Sequence, residues 1–254
     1  RHRRIDGHAP GLTGYDLNAY VAAGISSDHE CCTLKDALRK LELGQSIMIR
    51  EGTAARNLEA LLPLLTPQYA GRCMFCCDDK HPSDLLEKGH IDDLVKNAIR
   101  AGDPILAVKA ACLNAAQHFQ LNDRGAIAPG YRADLVVIDN FQDFTVERVF
   151  QRGRLMYSGG TLRDFEAPRV DPGLARRALD TFHVAALTAQ DFQDPRPSGI
   201  IGLMDGEILT EDRGRAGGVD LSRDILKIAV IERYRNTGHI GVGYLQGYGL
   251  KEGA

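Results

Sequence analysis

The feature that most constrains this chain is an alternation, four times over, of a short apolar segment with a helix-patterned one. The short segments end at His8, at Asp28-His29, at Ile49-Arg50 and at Cys76-Cys77. After each comes a stretch with apolar residues at helical spacing: Thr13–Ala23, Leu34–Leu43, Ala54–Leu65 and Ser83–Ala101. Thr33 is placed to cap the second helix and Gly44 to close it. Pro67 stops the third, and Pro82 stands just before the fourth. A further helix is expected from Asp103-Pro104 through Phe119, with a packing face of small residues such as Ala107, Ala110 and Ala111. Strand, helix, strand with short connections implies parallel strands and crossover helices, an α/β architecture. Four such units form half of a (β/α)8 TIM barrel, whose sites lie at the carboxyl ends of the strands. Half a barrel cannot close, so four preceding units are expected to lie outside this sequence.

That placement matters because of which residues end the strands. His8, His29 and Asp78 stand at corresponding positions of successive units, and two imidazoles with a carboxylate are a metal-ligating set. A lone histidine in a turn is more often an ordinary hydrogen-bonded residue; recurrence at strand ends favours the metal reading. Asp79 is the alternative carboxylate, facing the other way on an extended chain.

The texture changes near Asn122. Gly125–Asp139 reads as a turn and a β-branched strand, and Val146–Phe150 with Arg154–Tyr157 as a hairpin through Arg152-Gly153. Gly159 to about Leu179 is polar and irregular, as a linker would be. Beyond it, strands are expected around Phe182–Ala186, Gly199–Met204 and Ile225–Ile231, before a glycine-rich tail that lacks Gly-x-Gly-x-x-Gly spacing.

Composition excludes more than it selects. A hydrophobic share of 44% with net charge −3 offers no reason to expect nucleic acid as the main partner. No apolar run is long enough to span a bilayer, so no membrane partner is expected. Arg1-His2-Arg3-Arg4 is too short a basic run to change that, and reads better as the interior of a larger domain. Six cysteines sit in or beside apolar segments without framework spacing, which argues for reduced thiols and a cytoplasmic setting. Cys73-x-x-Cys76-Cys77 has no second pair at finger spacing and is read as core thiols.

The motifs Asp6-Gly7-His8-Ala9-Pro10-Gly11, Asp28-His29-Glu30, Ile49-Arg50-Glu51-Gly52 with Ala55-Arg56-Asn57, and Asp78-Asp79-Lys80-His81-Pro82 together resemble the bacterial adenine deaminases of the metal-dependent amidohydrolase superfamily. Gly125–Leu135 is similar to the segment by which that superfamily re-enters its β-sandwich. Asp224–Lys227 through Gly249–Lys251 is similar to this branch's extra carboxyl-terminal domain.

The resemblance implies a layout of 1–121 as the second half of the barrel, 122–160 as a β-sandwich segment, 161–180 as a linker and 181–254 as an incomplete C-terminal α+β domain. It implies hydrolytic deamination of adenine to hypoxanthine and ammonia, in purine salvage or adenine catabolism, with a metal-activated hydroxide attacking C6. His8, His29 and Asp78 become metal ligands, and Asp78 also handles the proton. The metal is manganese or iron by preference, with zinc possible.

Glu30 is a proton donor to the purine, a group that orients a metal ligand, or an N-cap carboxylate, and Arg50 and Glu51 either touch the base or form a salt-bridged rim. His81 is expected to shape its loop and His90 to face solvent. The full protein is expected to be a cytoplasmic homo-oligomer. The family's first-strand His-x-His pair and fourth-strand carboxylate would lie upstream of Arg1, and the C-terminal domain would stop short at Ala254. These 254 residues alone are therefore expected to bind metal weakly and show no turnover. Another amidohydrolase acting on a cyclic amide or amidine is the alternative within the class. The His-x-Glu and Pro-Cys-x-x-Cys elements of the other base-deaminase class do not occur.

Overall fold

The computed structural model describes residues 3–163, 166, 168–193 and 196–250. The chain divides into two compact units, Arg1–Phe165 and Glu166–Ala254. The first opens with strand β1 (Asp6–Gly7), helix α1 (Gly14–Ala22), β2 (Ser27–Asp28), α2 (Leu34–Glu42) and β3 (Ser46–Arg50). Next come the short α3 (Leu58–Leu61), β4 (Cys73–Cys76), α4 (Pro82–Glu87), α5 (Ile91–Ala101), α6 (Pro104–Ala111) and α7 (Leu113–His118). The four strands pair in sequence order, each parallel to the next.

The core of this unit shows why β3 and β4 read as unbroken apolar runs. Ile47, Met48 and Ile49, and Cys73, Met74 and Phe75, are all buried, as strands covered on both faces require. α2 contributes Ala37 and Leu41, α5 contributes Leu94, Val95 and Ala98, and α6 lays its alanine face, Ala107 and Ala110, on the same cluster. Asn114 of α7 donates to the carbonyls of Ala70 (2.7 Å) and Cys73 (2.8 Å), tying that helix to the entry of β4.

Three helices are shorter than their patterns suggest. Ala54–Leu65 yields only α3 and a 3-10 turn at Leu62–Leu64. Its first residues are used elsewhere, since the Ala54 and Ala55 amides donate to Asp79 Oδ2 (2.8 and 3.4 Å), and Pro63 has no amide to extend the helix. Gly89, at φ 101°, separates α4 from α5 where one helix was expected. The run to Phe119 breaks at Cys112, which serves both as the end of α6 and the start of α7.

An antiparallel sheet follows in the same unit, β5 (Leu135–Ile138), β6 (Val146–Gln151), β7 (Arg154–Ser158) and β8 (Thr161–Leu162), paired in that order. The predicted hairpin is β6–β7. Both residues of its turn, Arg152 (φ 52°) and Gly153 (φ 78°), lie in the left-handed region, the type I′ pattern that matches strand twist.

The second unit holds helix α8 (Pro172–Leu179) and a sheet of β9 (Ser198–Leu203), β10 (Thr210–Ala216), β11 (Ile225–Ile231) and β12 (Ile240–Gln246), in the order β10-β9-β12-β11. β12 runs parallel to β9; the other pairs are antiparallel. Its buried centre is Ile200, Ile225 and Tyr244. Two expectations are corrected here. Phe182–Ala186 forms no strand; within it His183 N–H donates to the Arg233 carbonyl (2.6 Å). The polar stretch before it contains α8, started by Asp171, which accepts from the Leu174 amide (2.8 Å), with Pro172 in the first turn. Among the described residues no helix is long and apolar enough to cross a membrane.

Candidate metal centre

Parallel pairing of β1 and β2 sets Asp6 beside Ser27 and Gly7 beside Asp28, so the residues that follow each strand emerge at one end of the sheet. His8 leaves β1 there, and His29 and Glu30 leave β2. Their ligand atoms all lie within 4.8 Å of one another, the one such cluster of three among the described residues. The imidazoles meet edge to face with ring centroids 4.7 Å apart, and His8 Nδ1 is 3.3 Å from Glu30 Oε1. The His8 side chain is 70% exposed, whereas Glu30 and His29 are about 15% exposed, so the cluster opens to solvent through His8.

Asp6 governs His29. Its Oδ2 is 2.6 Å from His29 Nδ1, and its other oxygen accepts from Ser27 Oγ at 2.7 Å. With the proton held at Nδ1, the lone pair is at Nε2, the arrangement by which a carboxylate orients a metal-ligating imidazole. The same contact lifts the His29 pKa against the opposing effect of burial. Burial would raise the Asp6 carboxyl, but the hydrogen bonds from His29 and Ser27 outweigh it and hold it low.

Arg50, at the end of β3, is the buried cation of this rim, with a side chain 1% exposed. Its Nη1 lies 2.9 Å from Asp78 Oδ2 and 3.7 Å from Glu30 Oε1, while Nε and Nη2 donate to Asn57 Oδ1 at 3.3 and 3.1 Å. Asp78, just beyond β4, occupies the left-handed region at φ 50°. The structure thus brings His8 and His29 together with Glu30, and sets Asp78 against Arg50, outside that cluster of three.

Glu51 turns to the start of α3 and accepts the Leu58 amide at 3.1 Å, and burial raises its carboxyl. Asp79 is occupied with the Ala54 and Ala55 amides, and Gly52 must be glycine there because a Cβ would collide with the Asp79 carboxylate. His81 is exposed and donates its amide to Thr53 Oγ1 at 2.8 Å; His90 is exposed. The cysteines are free, and burial pushes the Cys73 and Cys76 thiols up to about 12.

Sequence reasoning passed over Asp6 and Ser27. A signal existed: on an extended strand Asp6 and His8 point to the same side, two residues apart.

The sequence model of the Amidohydrolase family matches residues 1–156, more than half of the chain. The chain belongs to the amidohydrolase family. Residues 206–254 match the Adenine deaminase C-terminal domain.

Similar proteins include the adenine deaminase of Desulfatibacillum aliphaticivorans, 47% identical over 265 residues that span 100% of this chain and 46% of that protein. The adenine deaminase of Nitratidesulfovibrio vulgaris (strain DP4) is 41% identical over 100% of this chain and 45% of its own. Adenine deaminase 1 of Rhizobium meliloti (strain 1021) is 42% identical over 98% of this chain and 45% of its own. The chain therefore spans a little under half the length of these relatives.

Amidohydrolase membership implies a divalent metal, and the donor set fits one. Two imidazoles and a carboxylate converge, one imidazole is oriented by a second carboxylate, and exposure through His8 leaves a way in.

Proposed function

We propose that this amidohydrolase chain carries part of the active site of an enzyme that hydrolytically deaminates adenine to hypoxanthine and ammonia. The observation that carries the reading is 47% identity to an adenine deaminase along the whole chain, with His8, His29 and Glu30 converging at strand ends. Residues 1–121 are assigned to the second half of a (β/α)8 barrel, 122–160 to a β-sandwich segment, 161–180 to a connecting stretch that carries β8 and α8, and 181–254 to a C-terminal domain. Purine salvage or adenine catabolism in the cytoplasm, as a homo-oligomer, is the setting proposed for the whole protein.

His8 and His29 hold the cation, with Asp78 as the further ligand that the family resemblance implies, and with manganese or iron preferred and zinc next. When bound, a divalent cation supplies acidity, lowering the pKa of water to about 7. Asp78 is assigned to proton transfer, taking the proton of the attacking water and returning it to the departing amine. Glu30 joins the cation site or protonates the purine. Arg50 acts through the two carboxylates it holds, and Glu51 acts on the frame through the Leu58 amide, rather than by touching the base.

The test is ammonia release by the protein carrying this chain, manganese-loaded, with adenine, cytosine, guanine and dihydroorotate offered separately. Turnover on one of the other three and none on adenine overturns the substrate. His8→Ala and His29→Ala are each expected to lose bound metal together with activity; full metal content in both overturns the ligand assignment. The 254-residue chain by itself is expected to bind metal weakly and to show no turnover.

A further inference from the structure

Behind the histidines lies a second ionic arrangement that none of the roles above uses. Lys40 of α2 and Asp28 of β2 both have side chains 0% exposed, with Nζ 3.4 Å from Oδ2. A buried ion pair is costly to desolvate, and what each partner touches shows what this one does. Asp28 Oδ2 accepts the Ala9 amide (3.0 Å), and Oδ1 accepts the Glu30 amide (2.8 Å). Lys40 Nζ donates to the Ala9 carbonyl (2.7 Å) and to Asp36 Oδ2 (3.0 Å). Ala9 directly follows His8, and Asp28 and Glu30 flank His29. One ammonium and one carboxylate therefore hold the backbone next to all three members of the cluster, joining Ala9 to Asp28 across 19 residues of sequence.

The geometry points to Lys40 as a positioning residue. We propose that its ammonium, with Asp28, clamps the turn after β1 to the turn after β2, and that this clamp sets the separation of His8 from His29 and Glu30. The inference rests on the reading that these three hold a divalent cation. α2 supplies the cation from outside the sheet because Lys40 shares a helix face with the core residues Ala37 and Leu41. Its stem is buried with them while its tip reaches the strand ends. Without the ammonium, the Ala9 carbonyl loses that donor and the Asp28 carboxylate loses its buried counter-ion, so of the clamp only the bond from the Ala9 amide to Asp28 still ties the two turns.

The experiment titrates Co2+ alone into the protein carrying this chain and into its Lys40→Met, Asp28→Asn and control Lys35→Met variants, Lys35 being exposed on the same helix. Visible absorption reports ligand geometry, and far-UV circular dichroism at low temperature reports the fold. Lys40→Met and Asp28→Asn are expected to keep the folded spectrum, weaken Co2+ binding by about 10- to 100-fold and change the absorption bands, as lost outer-shell support does. Lys35→Met is expected to match the parent. A Lys40→Met chain that melts earlier but binds Co2+ within twofold of the parent, with the same bands, overturns the proposal, because Lys40 then serves stability alone. If Lys40→Met does not fold, Asp28→Asn decides by the same criteria; failure of both to fold also overturns it, since the pair then builds the fold. A parent protein that binds no Co2+ removes the metal reading itself, and the clamp with it. Parent binding without a variant effect removes only the clamp.

Discussion

Replacing Arg50 with Met keeps most of the aliphatic volume at the end of β3 and removes a guanidinium that is 1% exposed. Two consequences can be sized. Asn57 Oδ1, in a side chain buried beside it, loses the two guanidinium donors at 3.1 and 3.3 Å, which costs about 1–3 kcal/mol. Asp78 loses its partner at 2.9 Å. For a fully buried pair the loss of one partner costs about 3–5 kcal/mol. Asp78 is 37% exposed, however, and water takes over much of its solvation, so about 1 kcal/mol is the better figure.

The sum, about 2–4 kcal/mol, is to be read from urea unfolding of Arg50→Met against the parent chain. With a slope of about 2 kcal/mol per molar, it moves the midpoint down by roughly 1–2 M. Adding Asp78→Asn should recover part of the loss, since it removes the carboxylate left without its counter-charge; the double variant is then less destabilised than the two single effects added together. A midpoint within about 0.3 M of the parent, or strict additivity in the cycle, refutes the view that Arg50 holds this rim together.

Asp6→Asn keeps an acceptor for His29 Nδ1 but removes its charge, so metal affinity should fall about 10- to 100-fold with the fold intact; chelator competition showing no change would rule out Asp6 as the orienting group. His118 is buried, and burial, with Arg4 adding to it, lowers its pKa from the ordinary 6.5. The unfolded chain therefore takes up this proton first, and stability should fall as pH drops below 6.5 toward the lower folded value. His118→Gln should lose less between pH 7.5 and about 5.5 than the parent does, and equal losses in urea midpoints would dismiss that contribution. Gly7→Ala places a methyl on the Tyr20 hydroxyl, which accepts the His8 amide at 2.8 Å, and should cost about 1–3 kcal/mol. Tyr20→Phe in the same chain should relieve part of that cost, and a fully additive pair in thermal melts would show that the clash is absorbed elsewhere.

Periodicity along the chain was enough to find the elements that carry the candidate centre. The buried runs of β3 and β4, the α2 face with Thr33 as its cap, and the β6–β7 hairpin through Arg152-Gly153 are each specified by neighbours within a few residues. That His8 and His29 end strands was legible for the same reason. Where local pattern failed, a distant group had intervened. Ala54 and Ala55 gave their amides to Asp79 instead of starting a helix, and the strand expected at Phe182–Ala186 found no ladder to join. α8 was a different failure, since Asp171-Pro172 is a start signal that a polar surrounding masked.

Partner choice was decided only in three dimensions. Spacing of two places an imidazole on one side of a strand, but not which carboxylate will meet it. His29 bonds Asp6, 23 residues away, because β1 and β2 pair parallel with Asp6 beside Ser27. Asp78 meets Arg50 across 28 residues because β4 lies beside β3 with Cys76 opposite Arg50. Residue type and period determined which chemistry each strand end offers. Register between strands, set by the packing of Ile47, Ile49, Cys73 and Phe75 against their helices, decided which of those groups could act together.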